Sequence, residues 1–344
     1  MNIKKNITIH DLALALNITA STVSRALNDN PRISGATKKR VQEMAEKMGY
    51  QPNIAAANLR KGKGNNIGVI VPRINRSFFS TAIGSIEESA RTLGYNVIIA
   101  QTHEKYINEV ESVITMLNAR VDGILISLSA ETKNFEHLEQ ITKRRARLVF
   151  FDRICESLNA SSVELNDYRV GKEVAAHFLE MGAKSFGFLG GPDYINVYKN
   201  RWKGFIDTLN SNNIANEKVL FNTHALTRQE GRNAGLKLME KNCIPDAVFC
   251  VSDFAALGIY QLFRENGISI PDRAMVAGVA NEPFAEFLTP GLTSVDQNSE
   301  AIGKAAVNLF FNETEGHDTK QIKKVIEPRL IIRGSTLKKH NSKL

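Results

Sequence analysis

The sequence predicts an α/β chain in two parts: a small all-α head of helix-turn-helix type, then a body of two doubly wound α/β subdomains. Three observations predict it. Residues 9–28, IHDLALALNITASTVSRALN, hold two short stretches with apolar residues at helical spacing, broken only by LNIT. From residue 66 onward, short apolar runs of strand length alternate with helical stretches, the pattern of a parallel sheet covered on both faces. Positive charge is concentrated at the start: residues 1–63 hold 11 Lys and Arg against 4 Asp and Glu, a net of +7 out of +8 for all 344 residues.

In the head, Leu12, Ala13 and Leu16 form one apolar stripe, and Ile18, Val23, Ala26 and Leu27 a second. Thr8 caps the first helix, and Asp11 completes a capping-box-like pair. Asn17 takes the turn position, where tolerance of the left-handed conformation is needed, and Thr19 caps the second helix through its hydroxyl. Two helices joined so tightly are an ordinary αα-hairpin or a helix-turn-helix unit, whose second helix enters the DNA major groove. A basic module beside a nearly neutral body favours the second.

That second helix, Ala20 to about Asn28, presents Ala20, Ser21, Ser24 and Arg25, with Thr22 and Asn28 placed for phosphate contacts. Arg25 is the one side chain here able to pair bidentately with guanine, worth about 1–3 kcal/mol of discrimination. A phosphate contact or a surface salt bridge is the alternative for it. Ser34 caps a third helix whose Val41, Met44, Ala45 and Met48 are spaced to cover the first two. Gly49 stops it, and Pro52 follows. Lys38, Lys39 and Arg40 lie in its first half, against the helix dipole, so a partner anion is expected.

ITIHDLALALNITASTVSRALNDNPRISGATKKRVQEMAEKMGYQPNIAAANLR resembles the DNA-binding head and hinge of the lactose/galactose-repressor (LacI/GalR) family. The TVSRALN core, Arg32-Ile33-Ser34 with Thr37, and Gly49-Tyr50-x-Pro52-Asn53 follow the family pattern in order. The resemblance implies that Thr8, Ile9, Thr19, Arg32, Ser34, Thr37 and Asn53 join the second helix at DNA. It also makes Pro52–Arg60 a hinge, helical when two heads sit on DNA, with paired hinge helices in the minor groove. Ala56 then falls on the small groove-contacting residue, Leu59 on the intercalating leucine, and Arg60 just beyond. An apolar wedge between base steps kinks DNA at a cost of roughly a few kcal/mol, offset by wider contact. Ala57 departs from the family, where arginine or glutamine is common. Without the family, the segment reads as a basic flexible linker.

In the body, IGVIV (67–71), NVIIA (96–100), GILIS (123–127) and LVFF (148–151) are strands, with helices such as 78–93 and 108–118 between them. The alternation restarts at SVEL (162–165) and runs through FGFLG, VLF, AVFCV and MVAGV to LTSVDQ (292–297). A helix over 301–311 and a closing strand VIEPRLIIRGS follow. This layout resembles the family's effector body, which is like periplasmic sugar-binding proteins: the chain crosses between two subdomains three times, and a ligand sits in the cleft between them. The expected division is a head at 1–51, a hinge and linker at 52–65, a body at 66–338 and a polar tail at 339–344. Within the body, one subdomain takes about 66–162 and 293–323, the other about 163–292 and 324–338.

Ligands of open α/β sheets sit beyond the carboxyl ends of strands. There, Phe78 and Phe79 match the family's cleft residues, where a ring can stack on the C–H face of a sugar or on a base; helix-core packing is the alternative, favoured for Phe79. Asp152 matches a cleft acid, or else pairs with Arg153. Arg201 matches the arginine that grips the effector, its planar fork suited to vicinal hydroxyls or a carboxylate. Ser252-Asp253 matches an Asn/Ser-Asp pair, and Gln297 a further cleft position. Leu226 stands where sugar and purine binders often have an aromatic ring. Ile195 and Val197 stand at polar or basic positions, and Asn281 follows Ala280, where many members carry an aspartate. The cleft is recognisable but less polar than in the best-known sugar responders.

No catalytic or metal site is expected. The glycines of GFLGGP lack the G-x-G-x-x-G spacing, the seven histidines form no H-E-x-x-H, and His177 sits on a helical face as a structural residue. Cys155, Cys243 and Cys250 lack metal-ligand spacing and read as free thiols of a reducing cytoplasm. No run approaches the ~18 apolar residues of a membrane span, and MNIKKNITIH has no signal-peptide core. The resemblance therefore implies a non-enzymatic cytoplasmic regulator without cofactor, a homodimer on a pseudo-palindromic double-stranded DNA operator. Its expected mode is repression controlled by a small molecule, a sugar; the alternative is a corepressor mode with a purine-like ligand or a protein partner. No leucine-heptad extension follows RLIIRGST, so a tetramer is not expected. A sugar-binding or sugar-processing protein with a helical extension is the rival from another class, and the basic head argues against it.

Overall fold

The structure is a computed structural model, described over residues 7–50, 64–214, 219–222, 225–240, 243–312 and 321–337. The chain forms two compact units, Met1–Gly64 and Asn65–Leu344.

The head has three helices among its described residues: α1 (Ile9–Leu16), α2 (Ala20–Leu27) and α3 (Gly35–Met48). Each begins on the predicted cap. Thr8 closes a full capping box with Asp11, Thr19 accepts from the Thr22 amide, and Ser34 accepts from the Thr37 amide. Asn17 ends α1 in the left-handed region at φ 53°, and Gly49 ends α3 at φ 66°. Leu12, Val23 and Val41, one from each helix, are fully buried together. Burying side chains of this size contributes about 1.5–3 kcal/mol each, and Leu16, Ile18, Leu27 and Met44 pack around them.

The body begins with β1 (Asn66–Val71), α4 (Ser77–Thr92), β2 (Asn96–Gln101), α5 (Tyr106–Asn118), β3 (Gly123–Ile126), α6 (Glu136–Lys143), β4 (Arg147–Phe151) and β5 (Ser161–Leu165). It continues with α7 (Asp167–Glu180), β6 (Phe186–Leu189), α8 (Asn196–Ser211), β7 (Val219–Asn222), α9 (Arg228–Glu240), β8 (Ala247–Cys250), α10 (Asp253–Glu265), β9 (Met275–Val279), α11 (Phe284–Phe287) and β10 (Thr293–Asp296). Then come α12 (Ser299–Asn312), β11 (Lys323–Ile326) and β12 (Arg329–Ile331). Two six-stranded sheets result, ordered β11-β5-β4-β3-β1-β2 and β12-β10-β9-β8-β6-β7. The order repeats between them, and every described pairing is parallel except the antiparallel β10–β12.

The continuous apolar runs have a physical cause: each sheet is covered on both faces. In β1, Val69 packs with α4 and α12 while its neighbour Ile70 packs with α5 and α6 on the other side. In this first sheet the edge strands are the open ones: in β2, Ile98 is 36% and Ile99 48% exposed, and in β11 Val325 is 43% exposed.

Three sequence expectations about sheet membership need correction. SVEL does not open the second subdomain: β5 pairs with β4 and completes the first sheet, so the first crossing falls between Leu165 and Asp167. Thr293–Asp296 does not belong with the first sheet, because β10 pairs with β9 of the second. The closing run VIEPRLIIRGS is two strands, β11 on the first sheet and β12 on the second, parted at Glu327-Pro328. Proline has no backbone N–H for a ladder, and the chain uses that break to cross.

Candidate functional site

In the head, α2 presents Ser21 and Arg25 exposed, with Ala20, Thr22 and Ser24 half-buried. The Arg25 guanidinium makes no hydrogen bond or ion pair among the described residues. Thr19 Oγ1 lies 2.9 Å from the hydroxyls of both Ser21 and Thr22, so the cap also organises the start of this face. Thr8, Arg32 and Ser34 are exposed, whereas Ile9 packs partly against the head core and Thr37 is half-buried beside the Ser34 hydroxyl.

Two of the head's polar residues are engaged within the head. The Asn28 amide donates to the Ser24 carbonyl at 2.7 Å, closing α2 while the residue stays exposed. The anion expected for the basic start of α3 is internal: Lys38 Nζ pairs with Asp29 Oδ1 at 2.6 Å. Lys39 and Arg40 stay exposed. Asn53, Ala56, Leu59 and Arg60 lie outside the described residues.

In the body, one cavity of about 280 Å³ is lined from the carboxyl ends of strands in both sheets. Arg73, Arg76, Phe78 and Phe79 follow β1, and Asp152 and Arg153 follow β4. Tyr198 and Arg201 come from α8 after β6, Leu226 from the segment after β7, Ser252 and Phe254 from the cap and first turn of α10 after β8, and Gln297 from just after β10.

Arg201 is placed by backbone packing. A Cβ on Gly171 would stand 2.0 Å from the Arg201 carbonyl oxygen, and one on Gly204 would stand 1.9 Å from that of Tyr168. Only two glycines let α7 and α8 lie this close. The Arg201 side chain is then buried, its Nε donating to Asp167 at 2.7 Å and an Nη to the Val251 carbonyl at 3.1 Å. Burial pushes the Asp167 carboxyl up against the pull of Arg201.

Asp152 sits at φ 63°, and its Oδ2 accepts from the Ser127 hydroxyl at 3.0 Å. Burial raises its carboxyl above the usual range, while Arg153 and Arg201 pull it down. Arg153 donates to Glu104 at 2.7 and 3.3 Å. Burial opposes its charge, but Tyr198, Glu104 and Asp152 outweigh that and hold the guanidinium charged. Its Nε, although buried, has no hydrogen-bond partner; Asp152 stands 3.9 Å away.

The two halves also touch across the cavity. Arg153 donates to the Tyr198 hydroxyl at 3.0 Å, Asn196 to the Asp152 carbonyl at 3.1 Å, and the Ser77 amide to Glu282 at 3.1 Å. The Arg76 guanidinium carbon lies 3.7 Å from the centre of the Phe254 ring, a cation–π contact.

Phe78, Phe79, Asp152, Arg201, Leu226, Ser252 and Gln297 thus meet at one cavity, as does Val197. Phe78 and Phe79 also belong to the core beside the first sheet, so packing and lining are not exclusive for them. Asp253 and Asn281 are corrections. Asp253 is fully buried behind the lining, accepting from the Ser294 hydroxyl at 2.7 Å and the Glu282 amide at 2.8 Å. Asn281 accepts from Arg333 at 2.8 Å. Ile195 is buried in the core. Sequence reasoning passed over Arg73, Arg76, Glu104, Tyr198, Phe254 and Glu282. Arg73 and Arg76 were findable, since both stand in PRINRSFFST immediately after a strand.

Among the described residues no cluster of His, Cys, Asp or Glu is grouped to hold a metal, and no helix is long and apolar enough to cross a membrane. His177 is buried against the Thr336 hydroxyl at 2.7 Å.

Residues 8–53 match the model of bacterial regulatory proteins of the lacI family, and residues 175–336 that of a periplasmic binding protein-like domain. The chain is 29% identical to the HTH-type transcriptional regulator DegA of Bacillus subtilis over 96% of its own length and 98% of that protein's. Its fold is similar to the lac repressor dimer bound to operator and the anti-inducer ONPF, with TM-score 0.84, 20% identity, and 97% of this chain and 100% of that one covered. It is also similar to the transcriptional regulator CelR in complex with cellobiose, with TM-score 0.71, 22% identity, and 96% and 100% covered.

Proposed function

The chain belongs to the lacI family of bacterial regulatory proteins, and we propose that it is a repressor whose operator affinity is set by a sugar-like effector in the cleft between its two sheets. It is a DNA-binding transcription regulator and not an enzyme.

The observation that carries the proposal is the cavity itself. Aromatic rings (Phe78, Phe79), a carboxylate (Asp152), an amide (Gln297) and a planar fork (Arg201) converge there from both halves. Rings stack on apolar sugar faces, and acceptors and donors hold hydroxyls. A ligand touching both halves stabilises one closure of the cleft over another, and it shifts operator affinity only by that difference.

One head reads one half-site, so a pseudo-palindromic operator calls for two. The proposed homodimer face includes the open edge of the first sheet, where Ile98 and Ile99 are joined by exposed Ile107 and Ile114 on α5. The proposed DNA contacts are those of α2, its flanking caps and the segment containing Asn53, Ala56, Leu59 and Arg60. The chain is expected to act in the cytoplasm, where its operator is.

Operator binding measured with and without pooled sugars, at several salt concentrations, tests this. Affinity should fall with salt at about −0.9 per neutralised phosphate on a log–log plot, and a sugar should change it. A flat salt response overturns the DNA role; steep salt dependence without any sugar effect overturns the effector role.

A further inference from the structure

Resting on that cleft reading, we propose that the effector is an anionic sugar-sized molecule, one bearing a carboxylate or phosphoryl group, and that Arg73 and Arg76 receive the anion.

Four arginines line the cavity, and two are already engaged. Arg201 is held by Asp167, and Arg153 by Glu104 and Tyr198. Arg76 is not, and Arg73 has only a long ion pair. The Arg76 guanidinium lies on Phe254 and makes no hydrogen bond or ion pair among the described residues. Arg73 comes no closer than 3.9 Å to Glu104, whose oxygens already accept from Arg153 and the Ala130 amide. The acid facing Arg76 from the other half, Glu282, accepts from the Ser77 amide.

Burial, and then the neighbouring charge of Arg73, lower the affinity of Arg76 for its own proton, against the opposing pull of Glu282 and Glu104. Two adjacent guanidiniums without a bound carboxylate are a poor arrangement alone and a good one around an anion, which a planar fork can take bidentately. Two further features bear on the site. The first turn of α4 holds no acidic residue of its own, and the carboxylate at its positive end is Glu282 from the other half, on the Ser77 amide at 3.1 Å. Arg153 Nε is a buried donor with no hydrogen-bond partner in the same lining. Glu104 and Glu282 are the nearby counter-charges, and neither accepts a hydrogen bond from the arginine pair; an acid sugar or sugar phosphate supplies a directly bound anion while its hydroxyls reach Asp152 and Gln297.

Thermal melting of the full chain, titrated with inorganic phosphate at constant ionic strength, tests for the anion site directly. We expect saturable stabilisation that Arg73→Gln weakens and Arg73→Gln/Arg76→Gln abolishes. Phosphate attracted to the basic head is unaffected by these variants, so an unchanged or unsaturable response overturns the inference. Arg73 is 38% exposed at its side chain, so the single variant reports even if the double one folds poorly. Glucose, glucuronate and glucose 6-phosphate, with the galactose series, then separate the sources of charge. One anionic member should bind at least about tenfold more tightly than its neutral parent, and the variants should remove that advantage. If a neutral sugar stabilises the chain and shifts operator affinity while phosphate and the anionic sugars do neither, the cleft reading stands and the anion inference falls. If none of these compounds alters melting or operator affinity, both fall.

Discussion

Arg153 donates to the hydroxyl of Tyr198 at 3.0 Å, across the cleft between the two sheets. Arg153 follows β4 of the first sheet, and Tyr198 lies in the first turns of α8 against the second. The contact therefore exists only when the halves stand this close, and it couples the shape of the cavity to the distance between them. Tyr198→Phe keeps the ring and removes the oxygen. Hydrogen bonds to charged groups contribute about 1.5–3 kcal/mol. Urea unfolding of the body should lose up to about that amount, and effector affinity should fall with it. Unchanged midpoint and unchanged affinity would show that the contact does not brace closure.

Asp253 behaves as a fold residue. Asp253→Ala leaves the Ser294 hydroxyl and the Glu282 amide without their buried acceptor, at about 1–3 kcal/mol for each unsatisfied group. The body should be markedly destabilised whether or not effector is present. Gln297→Ala, by contrast, should reduce effector response with little change in the urea midpoint.

The same carboxyl gives a pH dependence. Burial pushes Asp253 up to about 7, whereas an aspartate in an unfolded chain titrates near ~3.9. Between these values the folded chain holds a proton that the unfolded chain has released. Stability from this group is therefore present below about pH 4 and lost as pH rises toward about 7. Urea midpoints of the body between pH 5 and 8 should carry a downward component that Asp253→Asn removes. An identical slope in the variant would contradict it.

What the sequence disclosed and what it hid divide along contact range. The caps of all three head helices were legible because Thr8, Thr19 and Ser34 act on amides three residues away. The strands were legible because burial on both faces leaves unbroken apolar runs. The cleft was half legible: Phe78, Arg201 and Gln297 stand where strand ends place them. Asp253 stands there too, but its role was decided by Ser294, 41 residues on. The Ser77–Glu282 bond spans 205 residues, so nothing local announces it. Membership of β5 and β10 was misjudged for the same reason, since pairing partners, not the strands themselves, fix the sheet.

In the head, Arg25→Ala should remove about 1–3 kcal/mol of preference for the selected operator over random DNA and leave effector binding unchanged. Binding to both DNAs falling equally would make Arg25 a phosphate contact, and loss of effector binding as well would indicate misfolding.

Asp29→Asn releases Lys38 from its ion pair. Exposed pairs of this kind contribute only about 0–1 kcal/mol, so melting of the head should hardly move. Non-specific DNA affinity at low salt should rise instead, with a salt slope steeper by about 0.9 for one added phosphate contact. An unchanged slope would keep Lys38 away from DNA.

The most direct measurement is selection from random double-stranded DNA by the purified chain, alone and with pooled neutral and anionic sugars, read out by sequencing. The account predicts one enriched pseudo-palindrome of about 14–20 base pairs with a flexible central step, and a sugar that changes its enrichment. No enriched sequence under any condition, or an enriched sequence indifferent to every sugar, would contradict it.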